Sequence, residues 1–233
     1  SYQTKKHSQN RGVVSEIYHV IIYTNKKEIA KEIHSFLHGT PFKIKGISNR
    51  ADQIKALLTH HAPDFLIVNL NQPCSYQSIH TLKISSPRTR IIITEEKCDT
   101  ENIFTMIQSG ANSFLSIPIH RKDLIHLLTN LTKDEIYLPP YVAKAILEKS
   151  HGFEQKSLEY PIILTDRDRS ILWCLSKEMN YEEINACLGI DKNLLKAHLA
   201  NILQKIHFSD IVKNHFNEKI VEVRSNIEHF ELI

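Results

Sequence analysis

The sequence predicts two folded domains: a doubly wound α/β domain on a parallel five-stranded sheet, followed by an all-α helix-turn-helix domain. Over residues 16–131, five short runs rich in β-branched residues alternate with amphipathic helical patterns. Two of these runs, FLIVNL and RIIIT, are almost continuously apolar, as strands buried on both faces of a parallel sheet must be. Three short helical patterns follow after residue 163 and predict the second domain.

Strands and helices alternate along the first domain. The predicted strands are Tyr18–Thr24, Phe42–Gly46, Phe65–Leu70, Arg90–Thr94 and Ser113–Ile117. The predicted helices lie around 26–38, 51–61, 76–84, 100–109 and 121–131. In an open α/β sheet, functional sites form at the carboxyl ends of the strands, so we expect any site of this domain at that edge.

We divide the chain into four parts. Residues 1–15 are polar and basic, lack the apolar core of a signal peptide, and are expected to form a flexible tail. Residues 16–132 form the α/β domain. Residues 133–160 form a linker with one helix that begins just after a pair of prolines. Residues 161–233 form the helix-turn-helix domain, with an extended C-terminal helix.

Composition argues against several classes of protein. The four cysteines, at positions without paired spacing, favour free thiols in a reducing cytoplasm; they are Cys74, Cys98, Cys174 and Cys187. The sequence contains no run of about 18 apolar residues, so we expect no membrane span. We find no nucleophile–base pair, phosphate-binding loop or metal-ligand cluster, so we expect no enzyme activity, no cofactor and no metal site.

Capping residues delimit the helices of the second domain. Thr165 with Asp168 three positions on forms a capping box before an apolar helical pattern. Gly189 ends a second short helix, and Asp191 can cap a third helix from about residue 192 to 206. This order of short helices is typical of a helix-turn-helix.

The third helix has two unlike faces. A stripe at helical spacing is expected to be buried; it consists of Leu195, Leu199, Ile202 and Ile206. The opposite face carries small, amide and lysine side chains, which suit the DNA major groove. We predict base-edge contacts by Asn193 and Lys196, phosphate contacts by Lys192, Asn201 and Lys205, and close approach at Ala197 and Ala200. An ordinary solvated face is the alternative.

The charge balance qualifies this interpretation. Residues 164–233 hold 9 basic and 11 acidic residues, a net charge of −2, and the rest of the chain carries +5. DNA-binding domains usually carry a net positive charge. We therefore expect weak non-specific affinity for DNA and a dependence on dimerisation.

Residues 164–210 resemble the LuxR/GerE-type helix-turn-helix at the C-terminus of NarL/FixJ-type response regulators. The LT-x-R-[DE] motif is matched by Leu164, Thr165, Arg167 and Asp168. The E-I pair of the second helix is matched by Glu183 and Ile184. The K-x-H-x-x-N-I-L motif of the third helix is matched by Lys196, His198, Asn201, Ile202 and Leu203. The chain departs from the pattern at Leu194 and Ala200, which bears on the preferred DNA sequence.

The first domain resembles the receiver domain of the same regulators, on PDFLIVNLNQP (63–73) and SGANSFLSIP (109–118). The resemblance implies a phosphorylation pocket at the sheet's carboxyl edge, which falls on Thr24, Asn25, Asn69, Thr94 and Ile117. We call these residues the receiver pocket. The usual acidic pair, phosphoacceptor Asp and Lys are replaced, and only Thr94 matches.

The replacements have chemical consequences. A carboxamide at Asn69 is neutral and weakly nucleophilic, so it cannot form an acyl phosphate by the usual attack. Mg²⁺ is normally held by carboxylates, and this pocket offers neutral oxygens. Asp64 lies at the opposite end of the third strand, and Glu95 and Glu96 are expected in a solvated loop.

The leading hypothesis is a cytoplasmic transcription regulator that binds double-stranded DNA as a homodimer without aspartyl phosphorylation. The resemblance implies a dimer surface on helix 100–109, the fifth strand and helix 121–131. A protein or small molecule could bind the receiver in place of phosphate. The alternatives are a protein-interaction adaptor that sequesters a partner without binding DNA, and a conventional phosphoacceptor regulator of a two-component system.

Overall fold

The chain is described by a computed structural model that covers residues 16–70, 76–95, 99–151 and 163–207. The predicted N-terminal tail, the end of the linker and the C-terminal extension lie outside these residues, so the predictions made for them stay predictions. Within these residues, no helix combines the length and apolar character needed to cross a membrane.

Five parallel strands form one sheet in the order β2-β1-β3-β4-β5. The strands are β1 (Tyr18–Thr24), β2 (Phe42–Ser48), β3 (Phe65–Asn69), β4 (Arg90–Glu95) and β5 (Ala111–Ser116). The helices between and after them are α1 (Lys27–Leu37), α2 (Ala51–His61), α3 (Tyr76–Ser85), α4 (Thr100–Gln108) and α5 (Arg121–Thr132). The predicted doubly wound α/β domain is therefore confirmed.

Alternating side chains of the strands divide the core into two layers. Val20, Ile22 and Ile67 face one cluster, which also takes residues of α1 and α5. Ile21 and Val68 face the other, which takes residues of α2, α3 and α4. Because successive side chains of a strand point to opposite faces, a strand buried on both faces must be apolar throughout. All five residues of β3 are buried accordingly.

Two strand boundaries differ from the prediction by two residues, and each of these strands contains a bulge, whereas the other differences are of one residue. β2 continues to Ser48 instead of stopping at Gly46, where the register with β1 shifts. A Cβ at Gly46 would lie 2.7 Å from a methyl group of Leu57, so the glycine permits a close approach of α2. β5 begins at Ala111, two residues early, because Asn112 is an extra residue whose side chain accepts from the Ile91 amide.

A linker helix joins the two halves of the molecule. Helix α6 (Pro140–His151) begins at the second proline of the predicted pair, where the missing amide hydrogen costs nothing. It packs against α4 of the first domain and against α7 (Asp166–Ser176) of the second. The apolar core therefore runs without interruption from the sheet through α6 into the C-terminal helices.

The helices of the C-terminal domain begin and end at the capping residues predicted from the sequence. Helix α7 starts with the Thr165–Asp168 capping box, and helix α8 (Tyr181–Leu188) ends at Gly189 in the left-handed conformation. Asp191 accepts from the amide of Leu194 at 2.9 Å and so caps α9, described over residues 192–207.

Candidate nucleic-acid interface

The exposed face of α9 is built by burial of its opposite side. The predicted stripe, Leu195, Leu199, Ile202 and Ile206, is buried in the core. This packing turns a second row of side chains outward, and the exposed members of that row include Asn193, Ala197, Ala200 and Asn201. Two methyl groups and two carboxamides therefore lie along one open helix face, which allows close approach of a ligand backbone and hydrogen bonding to it.

Two lysines of α9 contact the linker of their own chain. Lys196 Nζ lies 2.7 Å from Glu135 Oε1, and Lys192 Nζ lies 3.4 Å from the same oxygen. The Glu135 side chain is only 20% exposed. Hydrogen bonds from Lys196 and then from Lys192 lower the pKa of Glu135, although burial opposes them. We call this group of three residues the Glu135 clamp. In this conformation it occupies two of the three ammonium groups predicted to contact DNA.

Lys205 has a different role from the one predicted. Its Nζ lies 2.7 Å from Asp168 Oδ2, and the Asp168 side chain is only 1% exposed. His198 Nδ1 lies 3.2 Å from the other carboxylate oxygen, and the backbone amide of Thr165 donates to Oδ2 at 3.0 Å. A phosphate contact by Lys205 would remove a charge partner from this buried carboxylate, so the geometry argues against that prediction.

The Asp168 network fastens α9 to the start of α7. Burial by itself would raise the pKa of Asp168, but hydrogen bonds from Lys205, Thr165 and His198 outweigh it and lower the pKa to about 2. Sequence reasoning assigned Asp168 only to the capping box and missed this second function. A signal was present, because His198 and Lys205 are seven residues apart and share one flank of the helix.

The carboxyl edge of the sheet brings together three residues of the receiver pocket. Thr24 pairs in register with Asn69, and Thr94 lies at the end of the next strand. Asn69 Nδ2 donates to the Thr94 carbonyl at 2.7 Å, and Thr94 Oγ1 donates to the Val68 carbonyl at 3.2 Å. Thr24, Asn69 and Thr94 are all buried.

The other two members of the receiver pocket lie at its margin. Asn25 is exposed just after β1. Ile117 is half-buried and packs against the core on the side of α1 and α5. The resemblance implies a lysine after β5, but this chain has the apolar Ile117 there, and packing holds its side chain in place.

The acids near this edge do not converge on Asn69. Asp64 lies at the opposite edge, where it accepts from the His19 amide at 2.7 Å. Glu95, expected in a solvated loop, is instead the half-buried last residue of β4, because its backbone still pairs with Ser116. Successive side chains alternate, so Glu95 points to the face opposite Thr94. Glu96 lies outside the described residues.

The polar atoms of the pocket are neutral. Among the described residues, Asn69 Oδ1 is buried without a hydrogen-bond partner. No three His, Cys, Asp or Glu side chains within the described part of the chain are grouped so that they could hold a metal ion. An amide oxygen and two hydroxyl groups offer hydrogen bonds but no negative charge.

Comparisons with known proteins find response regulators. No family model matches the chain. It is 25% identical over 188 residues to the oxygen regulatory protein NreC of Staphylococcus carnosus, across 76% of this chain and 87% of that protein. It is 25% identical over 148 residues to a nitrate/nitrite response regulator protein homolog of Haemophilus influenzae, across 63% of this chain and 69% of that protein.

The fold is that of solved response regulators. A structure of two RcsB dimers bound to two parallel DNAs matches with a TM-score of 0.51 at 17% identity, over 82% of this chain and 93% of that one. RcsB of Salmonella typhimurium in another crystal form matches equally, with a TM-score of 0.51 over 81% of this chain. The chain therefore shares the fold of these response regulators, a five-stranded parallel α/β domain followed by a C-terminal helical domain.

Proposed function

We propose that the chain is a DNA-binding transcription regulator that acts as a homodimer and does not use aspartyl phosphorylation. One observation carries the DNA-binding part: the open face of α9 presents Asn193, Ala197, Ala200 and Asn201 together. These side chains are short enough to let a helix enter the major groove, and the carboxamides can donate to and accept from base edges.

Lys192 and Lys196 complete this surface once the Glu135 clamp opens. A base edge or a phosphate offers each ammonium group an alternative partner to the Glu135 carboxylate. We assign Lys196 and Asn193 to base edges, and Lys192 and Asn201 to phosphates. Lys205 is left out of the contact set because it pairs with Asp168.

The proposal of a phosphorylation-independent receiver rests on Asn69. Its side chain occupies the phosphoacceptor position and uses its amide group to bind Thr94. Neither Thr24 nor Thr94 supplies a carboxylate for Mg²⁺, and Ile117 supplies no cation for a bound phosphoryl group. Without these charges neither the attack nor its product is stabilised.

Homodimerisation is proposed from charge and from the relatives. The net charge of −2 over residues 164–233 leaves a single helix-turn-helix with weak phosphate attraction. Two copies on paired half-sites, roughly one helical turn of DNA apart, add their contacts. RcsB, which shares the fold, binds DNA as dimers. In this conformation the α4 part of the expected dimer surface is covered by α6.

An adaptor that sequesters a protein partner is the second candidate. Leu194 favours it, because this large apolar side chain is 44% exposed at the start of α9, where the family pattern has a polar residue. The occupied lysines of the Glu135 clamp also favour it. In that case α9 would bind a partner protein and show no preference among DNA sequences.

DNA selection followed by affinity measurement separates the two candidates. Sheared genomic DNA retained by the purified chain is sequenced, and an enriched fragment is then titrated by fluorescence anisotropy. We expect Lys196→Ala to weaken specific binding by about fivefold or more, since a good base contact contributes about 1–3 kcal/mol. The matched control is Lys55→Ala, which removes an exposed lysine from α2.

Two results would contradict the assignment. If no fragment is enriched, the adaptor becomes the better account. If Lys196→Ala and Lys55→Ala bind the fragment equally well, α9 is not the reading helix. The conventional regulator is tested separately, by incubation with acetyl phosphate and Mg²⁺ and measurement of the intact mass. Addition of one phosphoryl group would revive it.

A further inference from the structure

A pocket lies where the linker helix meets the helix-turn-helix. It has a volume of about 560 Å³ and is open on one side, and its walls come from α6, α7 and α8. Small side chains on facing helices create the space; they are Ser170, Cys174 and Cys187. This volume is within the range of sites that bind small organic molecules, roughly 300–1,000 Å³.

The wall of this pocket is mostly apolar and includes an aromatic ring. Leu147 contributes from α6 and Leu188 from α8. Trp173 is the single tryptophan of the chain, and 52% of it is exposed. An indole ring held half in solvent beside an apolar pocket gains from stacking against a flat, apolar ligand.

Arg169 supplies the pocket with a positive charge. Among the described residues, its guanidinium pairs with the exposed Asp166 of the same helix turn, at 3.6 Å. Within the residues that the structure describes, Arg169 Nε is buried and has no hydrogen-bond acceptor. A buried donor without an acceptor is unfavourable, and an anionic group placed in the pocket would satisfy it.

Among the described residues of the pocket wall, the acid Glu148 is directed elsewhere. Glu148 Oε2 accepts from the Thr100 hydroxyl of α4 at 2.9 Å, and its other oxygen lies 3.8 Å from Lys144. The carboxylate is therefore shared between the first domain and its own helix. Glu148 therefore does not neutralise the positive charge of Arg169 in the pocket.

We propose that this pocket binds a small aromatic anion, a carboxylate or sulfonate of about 10 to 20 non-hydrogen atoms. The ring system lies against Trp173, Leu147 and Leu188, and the anionic group accepts from Arg169. Such a ligand contacts the linker helix and the helix-turn-helix at once. It stabilises their docked arrangement and gives the chain an input that needs no phosphate. The inference does not depend on DNA binding.

A pair of fluorescent probes tests the proposal on the full chain. The anionic probe is 8-anilinonaphthalene-1-sulfonate, and the neutral probe is N-phenyl-1-naphthylamine, which has the same rings without the sulfonate. Excitation of Trp173 transfers energy to a naphthalene probe bound beside it. Since the chain has no second tryptophan, sensitised emission reports probes bound near Trp173, and the variants below place the probe within the pocket.

Three variants separate the parts of the proposal. Arg169→Gln should weaken the anionic probe roughly tenfold while leaving the neutral probe unchanged, because only the charge-assisted hydrogen bond is lost. Arg88→Gln, an exposed arginine of the first domain, is the matched control and should change neither. Cys187→Phe fills the space from α8 and should abolish saturable transfer to both probes, with circular dichroism reporting its helix content.

The outcomes are decisive in both directions. Saturable transfer at one probe per chain, with the expected pattern of variants, supports the proposal. Transfer that does not saturate, or that survives Cys187→Phe, contradicts a pocket at this place. Equal effects of Arg169→Gln on both probes contradict the anion preference. None of these results depends on whether the chain binds DNA, so failure here is distinguishable from failure of the proposed function.

Discussion

Lys196 of α9 and Glu135 of the linker form an ion pair with 2.7 Å between Nζ and Oε1. The two residues are far apart in the chain and meet because α6 packs on both domains. The pair holds the helix proposed to read DNA against the same polypeptide. Under the proposed function, DNA would have to displace Glu135 from this ammonium group.

Removal of the Glu135 charge should strengthen DNA binding. In Glu135→Gln, the two lysines lose a partly exposed ionic partner, and each such pair contributes up to about 1 kcal/mol. We expect the dissociation constant for an enriched fragment to fall about threefold to tenfold in anisotropy titrations. Glu28→Gln on α1, which removes an exposed acid, serves as the control. Unchanged or weaker binding by Glu135→Gln would mean that the clamp does not restrain α9.

Asp168 should be important for the stability of the C-terminal domain. Asp168→Asn leaves Lys205 without its buried carboxylate and weakens the contact to His198. Loss of one member of a buried charge pair costs about 2–4 kcal/mol. Urea unfolding followed by Trp173 fluorescence reports this directly, since Trp173 lies in α7. Glu28→Gln, which removes an exposed acid from α1, should cost less than about 0.5 kcal/mol.

The same network makes stability depend on acid. The pKa of Asp168 is about 2 in the folded chain, against about 3.9 for an unperturbed Asp. A lowered folded pKa gives a stabilisation that is complete above the unfolded value and is lost as pH falls toward the folded one. We expect wild type to lose about 2–3 kcal/mol from this group between about pH 5 and pH 2.

Asp168→Asn provides the control for that pH dependence. The asparagine does not titrate, so the variant should lose less stability over the same interval in urea titrations at each pH. Parallel curves for wild type and variant would show that another carboxyl group sets the acid sensitivity.

A single acid at position 69 should not restore phosphorylation. Asn69→Asp supplies a nucleophile, but Thr24 and Asn25 still provide no carboxylate for Mg²⁺ and Ile117 no cation. Incubation with acetyl phosphate and Mg²⁺ should leave the intact mass of Asn69→Asp unchanged. The fourfold variant Thr24→Asp, Asn25→Asp, Asn69→Asp, Ile117→Lys should gain one phosphoryl group. Phosphorylation of Asn69→Asp alone would show that our reading of the pocket is wrong.

Local patterns were sufficient to predict most elements. β1 has the predicted bounds, and the caps at Thr165, Gly189 and Asp191 mark the helices as expected. These features depend on residues within a few positions of one another. The bulges at Gly46 and Asn112 were missed because a one-residue insertion breaks the alternation that identifies a strand.

Contacts between distant segments could not be predicted in the same way. The pairing of Lys196 with Glu135 depends on how α6 docks, and no periodicity records that. Lys205 illustrates the difficulty, because a lysine on the flank of a helix fits either DNA or a buried acid equally well in sequence. Only packing against α7 shows that Asp168 lies within its reach.

The affinity for an enriched DNA fragment, measured with and without the phosphorylation reagents, tests the central claim most directly. Both titrations contain the same concentration of Mg²⁺ at the same ionic strength, and acetyl phosphate is added to only one of them. We predict equal dissociation constants for wild type in both, and weak binding by Lys196→Ala in both. Binding that arises only with Mg²⁺ and acetyl phosphate would contradict the account.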